Sequence, residues 1–493
     1  MTARLRRPDV AWVMLGLLLI ATSILRVTLS ANRLLWLDET ATGMIVMQPT
    51  LADFVHECAS EVNGPLYNML AYAWAHVSGV SNQALRALPA VFGIAAPLIA
   101  LGPRSLMDRG TKFTWCALIA CWAPGIWQSH EARPYTLILA LGVANTVAFA
   151  NLLRTPTLRA AWLWTGLSAL LVLSHYFGGV LVAIQGLTFL VVRKRRALAT
   201  WPAAIAFLPV LATIGIQARN LLAFSTPGTG WIVTLTPWDA VYDVCFFFGV
   251  PLAAIATLVW LAAAAVLRLA ARRFRRQPGD AAETELWLTA ACSLAAATAV
   301  IAIAFFRPIL VDRYLTPYVP GILLGLTLCA RRLALRWPLE ALVLVAIFAI
   351  STAQWAMKRP LSENVFGWEA ASSWLMTDHP RHVVFLWDNP MNRRRGAAPG
   401  LGGFFFARAG VPVSVDSIPV PEGRDPNPQL IAHAAPPGSV ILWIYDLGVR
   451  GTAARTFPPR IQQLDPRWNC RNFGVGSLGV LACELRNPDT GAS

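Results

Sequence analysis

Charge is what this chain has least of. Of 493 residues only 14% are Asp, Glu, Lys or Arg, while 56% are hydrophobic and the mean hydropathy is +0.53. That composition excludes a soluble globular protein and describes a polytopic membrane protein. CxxC pairs are absent, and the eight cysteines show no metal-ligand spacing, which removes a cysteine-based metal site from consideration. Five of them (Cys116, Cys121, Cys245, Cys292 and Cys329) lie inside apolar runs and read as small hydrophobes. No internal repeat or low-complexity tract is visible. The formal charge of +15 would suit nucleic acid, but the basic residues fall in short clusters between apolar runs. This is the distribution of a topology signal, so nucleic acid is not an expected partner.

What is present is a series of apolar runs of membrane length. They lie near 10–30, 87–103, 113–129, 134–153, 160–174, 177–192, 201–222, 240–267, 286–306, 315–330 and 339–357, which predicts about eleven spans. The first is too long for a signal-peptide core and no small-residue cleavage pattern follows it, so it reads as a retained helix. The run 64–80, GPLYNMLAYAWAHVSGV, falls short of the roughly 20 residues a span needs and carries Asn68 and His76 among aromatics.

The arginines decide how to read it. If 64–80 lies in the interface, one side collects Arg4, Arg6 and Arg7, then Arg104, Arg109 and Lys112, then Arg154 and Arg159, then RKRR at 193–196, RLAARRFRR at 268–276, and Arg331, Arg332 and Arg336. That side is the cytoplasm. A spanning 64–80 would move every later cluster outside, so an interfacial amphipathic helix is expected, with the N-terminus in and the C-terminus out. Residues 1–357 then form the transmembrane domain, with an outer loop at 31–86, and residues 358–493 a small extracytoplasmic α/β domain. There HVVFLWD, VPVSVDSI and GSVILWIYDL alternate with turn residues as strands do. Cys470 and Cys483 flank GVGSLGVLA, a hairpin that a disulfide can close in an oxidising compartment.

The unusual polar residues gather on the outer side. LLWLDETATG puts Asp38 and Glu39 after the first span, in a loop that also holds Asp53, His56, Glu57 and Glu61. QSHEARPY brings His130, Glu131, Arg133 and Tyr135 to the junction of the third and fourth spans; LSHYFGG brings His175 and Tyr176, and RPILVDRYLTPYVP brings Arg307, Asp312, Arg313 and Tyr314. Charge at membrane depth is costly and marks a functional site by default. Each has a plainer reading beside it. Asp38 and Glu39 can be a solvated pair or the cap of a helix beginning near Thr40, Glu39 more readily than Asp38. Arg133 and Arg313 can be interfacial anchors, and His130 and His175 buried hydrogen-bonded histidines. Glu61 divides evenly between the two readings, and Asp53, His56 and Glu57 suit a wet helix face.

Read as chemistry, an outer carboxylate with arginines and a histidine at helix ends suits a reaction on an anionic lipid head group. Arginine's planar fork holds phosphate and stays charged when partly desolvated. A carboxylate within reach removes a proton from an incoming hydroxyl or amine, and a departing lipid phosphate needs positive charge more than it needs a general acid.

LDET, GPLY, RALPAVFGIAAPLIAL, HEARPY, SHYFG and DRYLTPYVP, taken in order over about residues 10–330, resemble the GT-C superfamily of membrane glycosyltransferases. The similarity points to bacterial enzymes like protein O-mannosyltransferases and lipid A aminoarabinose transferase. It implies a multi-pass protein of the bacterial cytoplasmic (inner) membrane with an extracytoplasmic active site. It also implies a polyprenyl-phosphate-linked sugar donor, an envelope acceptor (lipid, glycan or protein) and inversion at the anomeric carbon. On the same resemblance Asp38 is the base, and Glu39 supports it or binds acceptor or metal. Arg133, Tyr135, Arg313 and Tyr314 hold the phosphate or shape the donor cavity, and His175 and Tyr176 line it. Glu61, His130 and Arg307 are weaker candidates. GPLY stands where relatives more often have HPPLY, which weakens the expectation of a divalent metal without removing it. The competing readings are a lipid-linked glycan transporter or flippase and an O-antigen ligase or polymerase. Against the transporter, no inverted repeat is visible.

Overall fold

A computed structural model gives the architecture, and it describes chiefly residues 7–28, 34–102, 105–224, 234–249, 281–332, 345–353, 367–387, 399–420, 438–446, 468–473 and 478–485. The second half of the 240–267 run, both ends of 339–357 and the RLAARRFRR cluster lie outside the described residues.

The chain opens with α1 (Arg7–Thr28), followed by three short helices, α2 (Leu37–Val46), α3 (Leu51–Ser60) and α4 (Leu66–Ser78). A helical bundle follows: α5 (Asn82–Ala100), α6 (Arg109–Cys121), α7 (Ala123–Gln128), α8 (Tyr135–Arg154), α9 (Leu158–Ser174), α10 (Gly178–Arg193), α11 (Leu208–Phe224), α12 (Pro237–Phe248), α13 (Ala281–Ala304) and α14 (Val319–Arg332). Among the described residues five helical stretches are long and apolar enough to cross a membrane: 10–28, 82–100, 135–154, 201–222 and 283–304. α8 is the centre of the bundle, packing on α5, α9, α13 and α14. α1 is peripheral and turns Val13, Leu17, Ile20 and Ile24 outward, an apolar face suited to lipid. At 13 residues α4 is shorter than the roughly 20 a span requires.

The run 113–129, read from sequence as one span, is broken. α6 ends at Trp122, which is extended, and Pro124 opens α7 in the first turn, where its missing N–H costs nothing. The break releases carbonyls that must find donors inside the bundle. Arg26 of α1, 1% exposed, donates from Nη1 to the Gly125 carbonyl at 2.5 Å and the Ser129 hydroxyl at 2.8 Å, and from Nη2 to the Ala120 carbonyl at 3.1 Å. Thr352 supplies Cys121. An arginine within the first span therefore stitches a broken helix and fixes the turn that follows it.

The C-terminal part holds α15 (Trp368–Met376), β1 (His382–Trp387), α16 (Pro399–Arg408), β2 (Ser414–Pro419), β3 (Ser439–Asp446), β4 (Trp468–Asn472) and β5 (Leu478–Leu485). The five strands form one mixed sheet in the order β2-β1-β3-β5-β4, parallel across β2, β1 and β3 and antiparallel at β5 and β4. Val383 to Leu386 are all fully buried, as befits a parallel strand covered on both faces. Cys470 faces Cys483 across the β4–β5 pair, and the two form a disulfide.

Alternate residues of β1 look into different cores. Val384 and Leu386 pack with Ile441 and Trp468. Val383 and Phe385 join Trp368, Phe404 and Phe405 in a cluster that continues into Leu35, Val46, Tyr67, Ala71 and Leu85 of the α2–α5 region. The sheet and the segment carrying Asp38 thus share one hydrophobic core. Gly43 on α2 permits this: a side chain there would run into the Phe404 ring.

Candidate active site

Asp38 and Glu39 lie in the first turn of α2, which begins at Leu37 rather than near Thr40, and there the helix dipole favours negative charge. Their environments differ sharply. Glu39 is fully buried, and its carboxylate is saturated: Arg86 of α5 grips it from Nε at 2.6 Å and Nη2 at 2.5 Å, and the Ala132 and Trp36 amides donate at 2.8 and 3.1 Å. Arg86 Nη2 also donates to the Leu34 carbonyl at 2.9 Å. The Ala132 bond ties the HEARPY turn to α2 and brings the next residue, Arg133, beside Asp38. Asp38 keeps 29% of its side chain open.

Around the Asp38 carboxylate the geometry is loose and cationic. Its Oδ2 stands 3.4 Å from Arg313 Nη2 and 3.9 Å from Arg133 Nε. Arg313 comes from a short 3-10 stretch, Asp312–Tyr318, ahead of α14. Its Nε donates to the Tyr135 hydroxyl at 2.8 Å, and its guanidinium lies 5.4 Å from the Trp36 ring centroid and 5.9 Å from those of Tyr135 and Tyr314. An aromatic box of this kind holds a guanidinium by cation–π attraction while leaving its edge for an anion. Burial works against both cations, but Asp38 and Tyr135 outweigh it, with Glu61 adding to Arg133, so both are held above the ordinary arginine value. They are permanent positive charges.

His175 caps α9, and its ring lies 4.6 Å from that of Tyr314. Burial, then Arg133 and Arg313, push it down to about 3, so the imidazole is neutral at any working pH. Its Nδ1 accepts from the Phe177 amide at 3.4 Å, and its buried Nε2 has no hydrogen-bond partner among the described residues. Glu131 accepts from the Trp127 indole at 2.6 Å. Burial lifts it to about 7, with Arg313 opposing and Glu39 and Asp38 reinforcing. The buried Tyr67 hydroxyl is within electrostatic reach of Arg133 and Glu39 and likewise has no hydrogen-bond partner among the described residues. The GPLY turn reaches this place because a side chain at Gly64 would overlap the Leu173 carbonyl, two residues before His175.

Of the residues singled out from sequence, the fold therefore brings together Asp38, Glu39, Arg133, Tyr135, His175, Arg313 and Tyr314. Glu61, at the C-cap of α3, adds its negative charge to the surroundings of Arg133. Tyr176 turns away and donates to Gln217 of α11, which itself donates to the Cys58 carbonyl at 2.7 Å. His130 is spent on the Leu25 carbonyl at 2.9 Å, and Arg307 is exposed on its own turn, with its backbone bonded to Ile303. Arg86, Arg26, Trp36 and Tyr67 also belong to the site or its supports and are not among the residues that stand out from sequence. For Arg86 and Arg26 a signal existed, a charged residue inside an apolar run, but nothing named their partners. No three His, Cys, Asp or Glu side chains converge as metal ligands among the described residues, and Glu39, the candidate ligand, has its oxygens occupied by four donors. The residues at this site do not fit a divalent metal.

No family model matches the chain, and no curated protein matches it at a significant level. Solved structures do. The structure of ArnT from Cupriavidus metallidurans bound to undecaprenyl phosphate aligns at a TM-score of 0.53 with 12% identity, over 97% of this chain and 99% of that one. The apo structure of the same protein aligns at 0.55 with 12% identity, over 96% and 98%. The alignments run over nearly the whole of both chains at an identity where only architecture carries over, so the chain has an ArnT-like fold, and its long apolar helices fit a polytopic membrane protein.

Proposed function

We propose that the chain is an inverting glycosyltransferase of the bacterial inner membrane that moves a sugar from a polyprenyl-phosphate donor to an envelope acceptor on the extracytoplasmic side. The observation that carries the reading is the division of labour at LDET: Glu39 is sealed with Arg86, while Asp38 stays open between two arginines. Undecaprenyl phosphate in one of the compared ArnT structures supports a polyprenyl-phosphate ligand here. The disulfide in the sheet and the arginine clusters support an outer face for the site and for residues 358–493, beside a membrane domain of residues 1–357 with about eleven spans.

In this mechanism Arg133 and Arg313 take the donor phosphate by charge-assisted hydrogen bonds, with Tyr135 and Trp36 fixing the Arg313 fork. Their long contacts to Asp38 give way to the phosphate, freeing the carboxylate. Asp38 then accepts the proton of the acceptor hydroxyl or amine as its lone pair attacks the anomeric carbon from the face opposite the phosphate. The bond from carbon to phosphate oxygen breaks with its electron pair on the polyprenyl phosphate, and the configuration inverts. The leaving group is already an anion, so the two guanidiniums stabilise its growing charge and no general acid is required. His175, neutral, offers a hydrogen-bonding edge without competing for the phosphate.

The test is transfer of radiolabel from a panel of polyprenyl-phosphate sugars to cell-envelope fractions by the purified protein in liposomes. Transfer from one donor supports the proposal and names the sugar; transfer from none contradicts it.

A further inference from the structure

Beyond the residues that face the donor, one carboxylate reaches the Asp38 segment from the C-terminal sheet domain. Glu369, in the first turn of α15, accepts the Leu35 amide on Oε2 at 3.3 Å. It also accepts from Asn82 Nδ2 at 2.9 Å, and it pairs with Arg408 of α16 at 2.5 Å. Arg408 closes the ring by donating from Nη1 to Asn82 Oδ1 at 2.6 Å. Asn82 and Arg86 stand one turn apart on the same face of α5, and between them they serve consecutive residues: Arg86 holds the Leu34 carbonyl and Glu39, and Asn82 holds the group that holds Leu35. With the Trp36 amide on Glu39, three successive backbone positions leading into Asp38 are pinned, and the middle one is pinned from the sheet domain.

The same contact is reinforced by packing. Leu35 is fully buried in the core it shares with Trp368, Phe404 and Phe405, the Arg408 guanidinium lies 4.9 Å from the Phe405 ring centroid, and Phe404 sits against Gly43 of α2. A shift of the Glu369 cluster would move Leu35, and with it the Trp36 ring under Arg313 and the Asp38 carboxylate beyond it.

We infer that Glu369 is a positioning residue, through which the C-terminal sheet domain sets the placement of the Asp38 carboxylate against Arg313 and Arg133. The inference rests on the proposed transferase reading, and it gives the C-terminal domain a part in turnover. A misplacement of about 1 Å at a reacting group costs on the order of a hundredfold in rate, so turnover is where the role shows.

The experiment compares wild type, Glu369→Ala, Glu369→Gln and Asn82→Ala in liposomes, reading kcat, donor affinity and hydrogen exchange of the Leu34–Thr40 backbone. Glu369→Ala is expected to lower kcat by about tenfold or more with donor affinity within about twofold, and to speed exchange at Leu35. Glu369→Gln, which keeps an acceptor for the amide, recovers part of the loss. Asn82→Ala, which leaves the Glu369–Arg408 pair intact, shows the same kcat-only signature at smaller size and serves if the Glu369 variants fail to fold. On an Asp38→Asn background Glu369→Ala should cost nothing further, because both act through one carboxylate. Unchanged kcat in folded variants, a loss confined to donor affinity, or unaltered exchange at Leu35 would each overturn the inference. Wild type that transfers no sugar contradicts the proposed function instead, and the exchange measurement still decides whether Glu369 fixes the segment.

Discussion

Glu39 and Asp38 are neighbours in sequence with opposite fates, and the reason is Arg86. A buried carboxylate with four donors is held by the ion pair, and removing one partner strands the other in a medium that cannot solvate it. Arg86→Met should therefore destabilise by about 3–5 kcal/mol, seen as a large fall in the apparent unfolding temperature in detergent, and adding Glu39→Gln should restore much of it. No fall would mean the pair is not needed for the fold. Glu131 gives a pH dependence. Its folded value, about 7, stands above the ordinary 4.5, so the folded state holds the proton more tightly. The resulting penalty is absent below about 4.5, grows as pH rises and is complete above about 7. Glu131→Gln should flatten the decline of unfolding temperature across that window, and an unaltered slope would contradict the assignment. At this scale much of the cluster was legible, because charge in so apolar a chain stands out: Asp38, Arg133 and Arg313 all fell on one side once the arginine bias was read. Tyr176, His130 and Arg307 were legible only as residue types at helix ends. Whether a side chain turns inward or spends itself on a carbonyl depends on distant partners, 41 residues away for Tyr176 and 105 for His130.

Between residues and fold, helices decide what the face carrying Asp38 presents. α4 has 13 residues and follows a turn pressed onto the end of α9, and whether it lies in the interface is open to a direct test. With the six free cysteines replaced by alanine, single cysteines at Asp53 and at Val77, which is 86% exposed, should both react with an impermeant maleimide added to intact cells. Reaction at only one would place α4 across the membrane. The element boundaries show where periodicity stops informing. Hydropathy read 113–129 as one span because Trp122 and Pro124 interrupt no apolar pattern, yet the backbone breaks there and requires Arg26. Conversely, β1, β2 and β3 were readable as short runs that alternate with turn residues.

On the scale of the whole molecule, the sheet domain and the Asp38 segment are joined by one core and one polar ring, so the candidate site is assembled from both ends of the chain. The sequence showed a change of composition after residue 357 but gave no sign that Trp368, Glu369 and Phe404 would close on Leu35 and Gly43, contacts between residues more than three hundred positions apart. The shared architecture with ArnT at 12% identity makes the same point: the fold persists where nearly all side chains differ, so activity must be judged at the site. The most direct measurement sets purified wild type beside Asp38→Asn in liposomes, with sugar transfer from polyprenyl phosphate and donor binding read on the same preparations. Loss of a general base should reduce turnover by about a hundredfold or more while donor affinity stays within a few fold, since the arginines remain. Equal turnover in a folded Asp38→Asn variant would contradict the account at its centre.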